Sequence, residues 1–112
     1  MNTLWRAFKH TLNRLPDHDF LGSRDTSQEG APYVWKTWTE VDTIVNNLAK
    51  GYHVLNLMPE VEGEGQKYKF MGIYAKNREE WTFTDLAAMS ASGTIVAFYD
   101  TLGPAAVEFV IK

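Results

Sequence analysis

The fold is decided by the stretch YKFMGIYAKNREEWTFTDLAAMSASGTIVAFY, which covers residues 68–99. Tyr68–Ala75 has the composition of a buried strand. Thr94–Tyr99 is apolar except for its first residue, as expected of a strand that is covered on both faces. Between them, Asn77 can cap a helix, and Glu80 is placed to reach back to the amide of the cap residue. A strand, a helix and a second strand at these lengths predict a right-handed parallel βαβ unit.

A further helix is predicted to begin at Pro104, because the fixed φ and the missing N–H of proline suit a first turn. No Gly or Asn stop follows before Lys112, and Phe109, Val110 and Ile111 still need a surface to pack against. A parallel sheet also needs helices on both faces. We therefore expect an N-terminal segment of a larger domain; a complete small domain with a frayed end is the alternative.

The region upstream predicts a helix followed by a β-hairpin. The helix is expected from Leu4, with Thr3 as its N-cap, and Pro16 should end it. Phe20–Arg24 and Tyr33–Trp38 read as extended runs joined by a loop of turn-forming residues. These two runs are predicted to form a β-hairpin.

A second helix has the clearest amphipathic pattern in the chain. Thr39 is expected to cap it, with Asp42 in a capping-box-like position. Its apolar residues recur at spacings of three and four: Val41, Ile44, Val45, Leu48, Ala49 and Tyr52. After Pro59, the segment Glu60–Gln66 is predicted to be an acidic surface loop. The predicted class is therefore α/β, with a β-hairpin and a parallel βαβ unit that is incomplete as a domain.

The composition excludes several classes of protein. The 112 residues carry 11 Lys+Arg and 14 Asp+Glu, a net charge of −3, and no basic cluster, so a nucleic-acid partner is not expected. Without cysteine there is no disulfide framework, Cys-based zinc site or thiol nucleophile, which fits an intracellular location. No apolar run approaches the ~18 residues of a membrane span. The 13% aromatic residues are spread over every predicted element, as is usual for packing.

Two glycine-containing triplets resemble phosphate loops only superficially. Ser92-Gly93-Thr94 lies where a helix ends and a strand begins, and no Lys is nearby. Gly63-Glu64-Gly65 lacks the third glycine of a dinucleotide fingerprint, and its neighbouring acidic residues would repel phosphate. Neither triplet is predicted to bind a nucleotide.

Three sets of polar residues also favour structural interpretations. Asp17-His18-Asp19 is contiguous, and adjacent residues seldom face one metal ion. His10 and His53 are isolated, and His53 lies near the end of the second helix. Glu79-Glu80 would suit acid–base chemistry, but acidic residues are favoured in any first helical turn. The residues alone therefore predict no catalytic, cofactor-binding or metal-binding position in this chain.

Four stretches nevertheless have recognisable sequences: Gly72–Trp81, Thr84–Ala87, Tyr99–Pro104 and Ala106–Phe109. They resemble the N-terminal part of eukaryotic long-chain acyl-CoA synthetases, in which the first reads G-I-Y-A-x-N-R-x-E-W and the third Y-D-T-L-G-P. The resemblance runs from about Trp5 to Lys112. Upstream, Phe20–Arg24, Tyr33–Trp35 and Thr39–Val41 are similar to family stretches in the same order. The chain departs from the pattern at Ala97-Phe98, where Pro-Leu is usual, and at Ala105, where Glu is usual.

The resemblance implies that residues 1–112 are the N-terminal part of the large, AMP-binding domain of an adenylate-forming ligase, without its C-terminal lid domain. The complete enzyme would convert a long-chain fatty acid to its CoA thioester through an acyl-adenylate, using ATP, Mg²⁺ and coenzyme A. The family's phosphate loop is missing, so this segment is expected to bind none of these and to be inactive alone. Its expected partner is the remainder of the ligase domain.

Family members are often found at the endoplasmic reticulum, the peroxisome or the mitochondrial outer membrane, so peripheral membrane contact is also implied. Two alternatives stay open. The chain could be a scaffold or interaction subunit that keeps only this subdomain, or part of an enzyme that adenylates another carboxylic acid.

Overall fold

The structure is a computed structural model that describes residues 3–111. Its elements are α1 (Leu4–Arg14), β1 (Asp19–Arg24), β2 (Tyr33–Thr37), α2 (Trp38–Val54), β3 (Glu60–Gly63), β4 (Gln66–Tyr74), α3 (Glu79–Ser90), β5 (Thr94–Phe98) and α4 (Pro104–Ile111). The strands form an antiparallel pair, β1–β2, and a three-stranded sheet in the order β3–β4–β5. The predicted α/β class and hairpin are confirmed. Lys112, the last residue of the predicted final helix, lies outside the described residues.

The predicted βαβ unit is present. β4 and β5 pair in parallel over five positions, from Phe70 opposite Thr94 to Tyr74 opposite Phe98, and α3 connects them. Gly72 gives the Phe98 ring room to lie against the sheet, since a Cβ there would be 3.1 Å from the ring carbon Cε2. The strand that the sequence predicted as Tyr68–Ala75 thus begins two residues earlier and ends one residue earlier.

The prediction of a surface loop at Glu60–Gln66 is wrong, because β3 pairs antiparallel with β4. Glu64 and Gly65 make the turn, both with positive φ (50° and 77°), as a tight two-residue hairpin turn requires. Two of the three acidic residues that suggested a loop lie opposite a lysine of β4 in this register, and the third, Glu64, lies in the turn. The pairs are Glu60 with Lys69 and Glu62 with Lys67.

The N-cap of α2 is Thr37 rather than the predicted Thr39. The Thr37 hydroxyl accepts a hydrogen bond from the Glu40 amide (3.2 Å), and the Glu40 carboxylate accepts one from the Thr37 amide (3.5 Å). These two bonds form a capping box two residues before the expected one. Thr39 lies inside the first turn, where its hydroxyl donates to the carbonyl of Pro16 at 2.9 Å. The two threonines fit the same motif, and the contact with Pro16 distinguishes them.

The N-terminus of α3 also differs from the prediction. Arg78, not Asn77, is the N-cap residue, and no side chain caps the helix. Glu80 does not reach back to the cap amide; its carboxylate accepts hydrogen bonds from the Arg78 guanidinium at 2.6 and 3.0 Å. An available guanidinium two residues away is a stronger partner for a carboxylate than a neutral amide.

Gly93 takes part in ending α3, as predicted, but the left-handed residue is Ser92, with φ of 60°. The Gly93 amide donates to the Ala88 carbonyl (2.7 Å) and the Ser92 amide donates to the Met89 carbonyl (3.2 Å). These two bonds are the Schellman pattern, which satisfies carbonyls left without partners at a helix end. A Cβ on Gly93 would lie 2.7 Å from the sulfur of Met58 and 3.2 Å from the Ala88 oxygen.

The core lies between α1, α2 and α3. Its buried residues are Phe8, Val41, Val45, Phe83, Leu86 and Ala87. Aromatic rings extend it toward the β1–β2 hairpin: Phe20 and Trp38 stack with centroids 4.0 Å apart, and Trp5 stacks on Phe8 at 5.2 Å. These contacts confirm the predicted apolar face of α2 and the packing role of part of the aromatic set.

The other side of the sheet is much less covered. The expectation that β5 is covered on both faces is wrong, since none of its residues is buried. No described residue of α4 is buried either, and Phe109 and Ile111 are 82% and 71% exposed. The radius of gyration is 16.2 Å, whereas a compact domain of this size has about 13 Å.

Candidate functional site

The candidate site is a cleft at the carboxyl ends of the two parallel strands. We call it the carboxyl-edge cleft. It has a volume of about 470 Å³ and is lined by Ala75, Asn77, Trp81, Ala97, Phe98, Tyr99 and Asp100. In open α/β sheets, ligands bind at this edge, because the loops that follow parallel strands meet there. The carboxyl-edge cleft is therefore the candidate ligand-binding site because of its place in the sheet topology, rather than because of any one residue.

The cleft combines flat aromatic surface with a few polar groups. Trp81 lies in the first part of α3, and Tyr99, directly after β5, is 80% exposed. Asn77 offers an amide that can donate and accept, and Asp100 offers a carboxylate. The Tyr74 hydroxyl donates to the Leu102 carbonyl at 2.6 Å, which fastens the loop after β5 to the end of β4. Such a cleft suits a ligand with a planar ring and hydrogen-bonding edges.

A second cleft lies between the β1–β2 hairpin and the beginning of α3. This hairpin cleft has a volume of about 390 Å³. It is lined by Leu21, Gly22, Ser23, Arg24, Asn77, Arg78, Glu79 and Thr82. Asn77 therefore lines both clefts, and the short segment between β4 and α3 separates them.

The carboxylates of Glu79 and Glu80 have different partners. Glu79 accepts hydrogen bonds from the hairpin residues Lys36 (2.9 Å to each oxygen) and Ser23 (3.0 Å). Glu80 pairs with Arg78, and this hydrogen bond lowers the pKa of the Glu80 carboxyl and raises that of the guanidinium. Because the two carboxylates bind separate cations, their arrangement favours a structural role over shared acid–base chemistry.

The other stretches singled out in the sequence lie outside the two clefts. Ser92-Gly93-Thr94 forms the end of α3 and the start of β5, and Gly63-Glu64-Gly65 forms the β3–β4 turn. In Asp17-His18-Asp19, the His18 carbonyl accepts from the Trp38 amide at 3.1 Å, and Asp19 begins β1. His10 lies in α1, and His53 lies in the last turn of α2. Within residues 3–111, no group of three or more His, Asp or Glu is arranged to hold a metal ion.

One titratable residue that the sequence did not single out is Asp85, on α3. Partial burial raises the pKa of its carboxyl above the ordinary value of 3.8. The lining residues of the carboxyl-edge cleft were also not identified as a group. A signal for them exists: Ala75 and Tyr99 are the last residues of the two predicted parallel strands, whose carboxyl ends must lie side by side.

The mixed α/β fold is consistent with the family that the sequence matches. Residues 8–112 match the family described as AMP-binding enzyme. The chain belongs to this family, and the match covers every element from within α1 to α4.

The chain is also similar to individual acyl-CoA synthetases and ligases. The chain is 34% identical over its whole length to long chain acyl-CoA synthetase 4 of Arabidopsis thaliana. It is 31% identical over 98% of its length to long-chain-fatty-acid–CoA ligase 6 of Homo sapiens. It is 36% identical over its whole length to the peroxisomal acyl-CoA ligase 891 of Penicillium brevicompactum. These matches confirm the resemblance to long-chain acyl-CoA synthetases, although the chain spans only 16%, 14% and 16% of these relatives.

A helix that crosses a lipid bilayer must be long and predominantly apolar. Across residues 3–111, no helix combines the length and the apolar character needed to cross it.

Proposed function

We propose that the chain is the N-terminal segment of the AMP-binding domain of a long-chain fatty-acid–CoA ligase, with the lid domain outside residues 1–112. One observation carries this proposal: the family match over residues 8–112 coincides with a parallel βαβ unit that opens a cleft at its carboxyl edge. The names of the relatives support long-chain fatty acids as the substrate class.

The proposed reaction has two steps. A carboxylate oxygen of the fatty acid attacks the α-phosphorus of ATP, forming the acyl-adenylate and releasing pyrophosphate. The thiolate of coenzyme A then attacks the acyl carbon, and AMP leaves with the electron pair of the broken C–O bond. Adenylation matters because the oxygen of a free carboxylate is a very poor leaving group, whereas AMP is a good one. Basic groups that stabilise the charge on the phosphates would lower the barrier to the first step.

Within this reaction, the carboxyl-edge cleft would form part of the ligand-facing wall of the complete site. Its aromatic surface and its amide suit a planar base. No residue of the described chain is assigned to Mg²⁺, because the acidic residues present are not grouped as a metal site requires. The prediction that this segment alone binds no cofactor stays a prediction.

The test compares the 112-residue chain with a long protein, in which the chain is extended to the length of its relatives. We expect the long protein to catalyse palmitate-dependent exchange of pyrophosphate into ATP and to form palmitoyl-CoA. The 112-residue chain should do neither. Turnover by the short chain, or no turnover by a folded long protein with any carboxylic acid, would contradict the proposal.

The same assay separates the alternatives. A panel of short, aromatic and long-chain acids would reveal an enzyme that adenylates a different carboxylic acid. A scaffold is the second candidate function, and the exposure of Phe109 and Ile111 on α4 favours it, because such residues fit a protein partner as well as the rest of a domain. A stop codon directly after Lys112, with a monodisperse short protein, would support the scaffold.

A further inference from the structure

The carboxylate of Glu79 joins two elements that are distant in sequence. It lies in the first turn of α3 and accepts hydrogen bonds from Lys36 of β2 and Ser23 of β1. The Lys36 ammonium lies 2.9 Å from each carboxylate oxygen. One side chain therefore contacts both strands of the hairpin, across separations of 43 and 56 residues.

This ion pair is more shielded from water than the other two in the described chain. The exposed side-chain fractions are 27% for Lys36 and 18% for Glu79, against 63% and 53% for the Arg78–Glu80 pair. Screening by water and salt is weaker for partly buried charges. The pair between Lys36 and Glu79 is thus placed to hold the hairpin in one position, while the exposed pair contributes little.

The position of the hairpin affects more than its own strands. Ser23 and Glu79 line the hairpin cleft, and Asn77 lines both that cleft and the carboxyl-edge cleft. Trp81 follows Glu79 by two residues and lines the carboxyl-edge cleft. A change in how the hairpin is held against Glu79 would therefore reach the segment 77–81.

We propose that Glu79 is a positioning residue: it holds the β1–β2 hairpin against α3 and thereby fixes the wall of the carboxyl-edge cleft. The cations around it are Lys36, which binds it directly, and three that line the adjoining surface, Arg24, Lys76 and Arg78. Arg78 is occupied by Glu80, and Arg24 donates to the Ala31 carbonyl. Among these four cations, Lys36 is the one that the structure records in an ion pair with the Glu79 carboxylate, so it is the cation that the proposal requires. The proposal about Glu79 goes beyond the proposed function, because the contact between the hairpin and α3 is present whether or not the chain takes part in a reaction.

The experiment measures amide hydrogen exchange in the 112-residue chain by NMR. Glu79→Gln and Lys36→Met each remove one charge and keep most of the side-chain volume. We expect amides of β1 and β2, such as those of Gly22 and Trp35, to exchange at least about threefold faster in either variant. Amides in the middle of α2 should be unchanged. Glu80→Gln is the matched control, since it removes a carboxylate from the same turn of α3.

A second measurement tests the effect on the cleft. In Lys36→Met, the side-chain signals of Asn77 and Trp81 should shift, although Lys36 lies on a different element, and in Glu80→Gln the hairpin amides should not respond. Equal hairpin exchange in Glu79→Gln and Glu80→Gln would overturn the proposal. So would a uniform increase in exchange over the whole chain, or unshifted Asn77 and Trp81 signals. If Glu79→Gln does not fold, Lys36→Met alone decides. None of these outcomes depends on ligase activity, so the two proposals fail separately.

Discussion

The two sides of the molecule contain similar residues but bury them very differently. Between α1, α2 and α3, a phenylalanine such as Phe83 is 4% exposed. On α4, Phe109 is 82% exposed, and its apolar neighbours Val110 and Ile111 are exposed as well. The difference is the number of layers: α3 has helices on one side and the sheet on the other, whereas the described residues offer α4 no covering layer. Apolar sequence alone therefore does not tell how much a residue stabilises the fold.

The largest expected effect tests this comparison directly with two phenylalanines. Phe83→Ala should lower the free energy of unfolding by about 3–5 kcal/mol, because it leaves a cavity in the core. Phe109→Ala should change it by less than about 0.5 kcal/mol, since the ring already faces water. Urea unfolding followed by circular dichroism measures both. Similar losses in the two variants would show that α4 is covered in solution.

Two glycines give the next effect. Gly93→Ala should cost about 1–3 kcal/mol, because the new Cβ would press on the Ala88 carbonyl and the Met58 sulfur. Gly103→Ala, before α4, meets nothing within 4 Å and should leave the free energy of unfolding nearly unchanged. Thermal unfolding of both variants measures this. A greater loss of stability in Gly103→Ala than in Gly93→Ala would contradict the prediction.

The starts of α2 and α3 provide a smaller comparison. Thr37→Ala removes the capping box of α2 and should cost about 1 kcal/mol. Arg78→Ala changes an N-cap residue without a capping bond and loses only an exposed ion pair, so it should lower the free energy of unfolding less than Thr37→Ala does. Chemical denaturation distinguishes them. If Thr39→Ala loses helix content at the start of α2 and Thr37→Ala does not, Thr39 rather than Thr37 is the N-cap.

The smallest effect concerns pH. The pKa of Asp85 is raised in the folded chain by burial, so the folded state favours the protonated form relative to the unfolded state. The favourable contribution is fully present below the ordinary value of 3.8 and is lost as the pH rises through the folded pKa. Asp85→Asn should therefore stabilise the chain at pH 7 more than at pH 3. Unfolding curves at the two pH values check this, and a larger gain at pH 3 would contradict it.

The elements with strong local patterns could be predicted from the sequence. The spacing of apolar residues indicated α2, and two apolar runs separated by a helix indicated the parallel pair β4–β5. β3 could not be recognised, because its pairing with β4 brings residues opposite Glu60 and Glu62 only after the chain turns at Glu64 and Gly65. The N-cap of α2 was predicted at the wrong threonine, because Thr37 and Thr39 both fit the sequence pattern of a capping box. Only the hydrogen bond from Thr39 to the Pro16 carbonyl distinguishes them.

The candidate site was harder to predict than the fold. The residues of the carboxyl-edge cleft come from two separate stretches, 75–81 and 97–100, and their common property is a position at or just beyond the carboxyl ends of the two parallel strands. Glu79 was interpreted from its own helix, as an acidic residue in a first turn. Its partners Ser23 and Lys36 come from strands far earlier in the chain, so no local pattern could reveal the contact. The resemblance to a family identified a reaction, but it assigned no residue here to it.

The order β3–β4–β5 also gives the sheet two unlike borders. On one border, the short strand β3 carries Glu60 and Glu62, and charged residues on an edge strand discourage further pairing. On the other border, β5 is an apolar strand, and no other strand within residues 3–111 pairs with its outer side. Pairing with a further strand is thus more favourable beside β5 than beside β3. In concentrated solutions of the 112-residue chain, this same border is where self-association would begin.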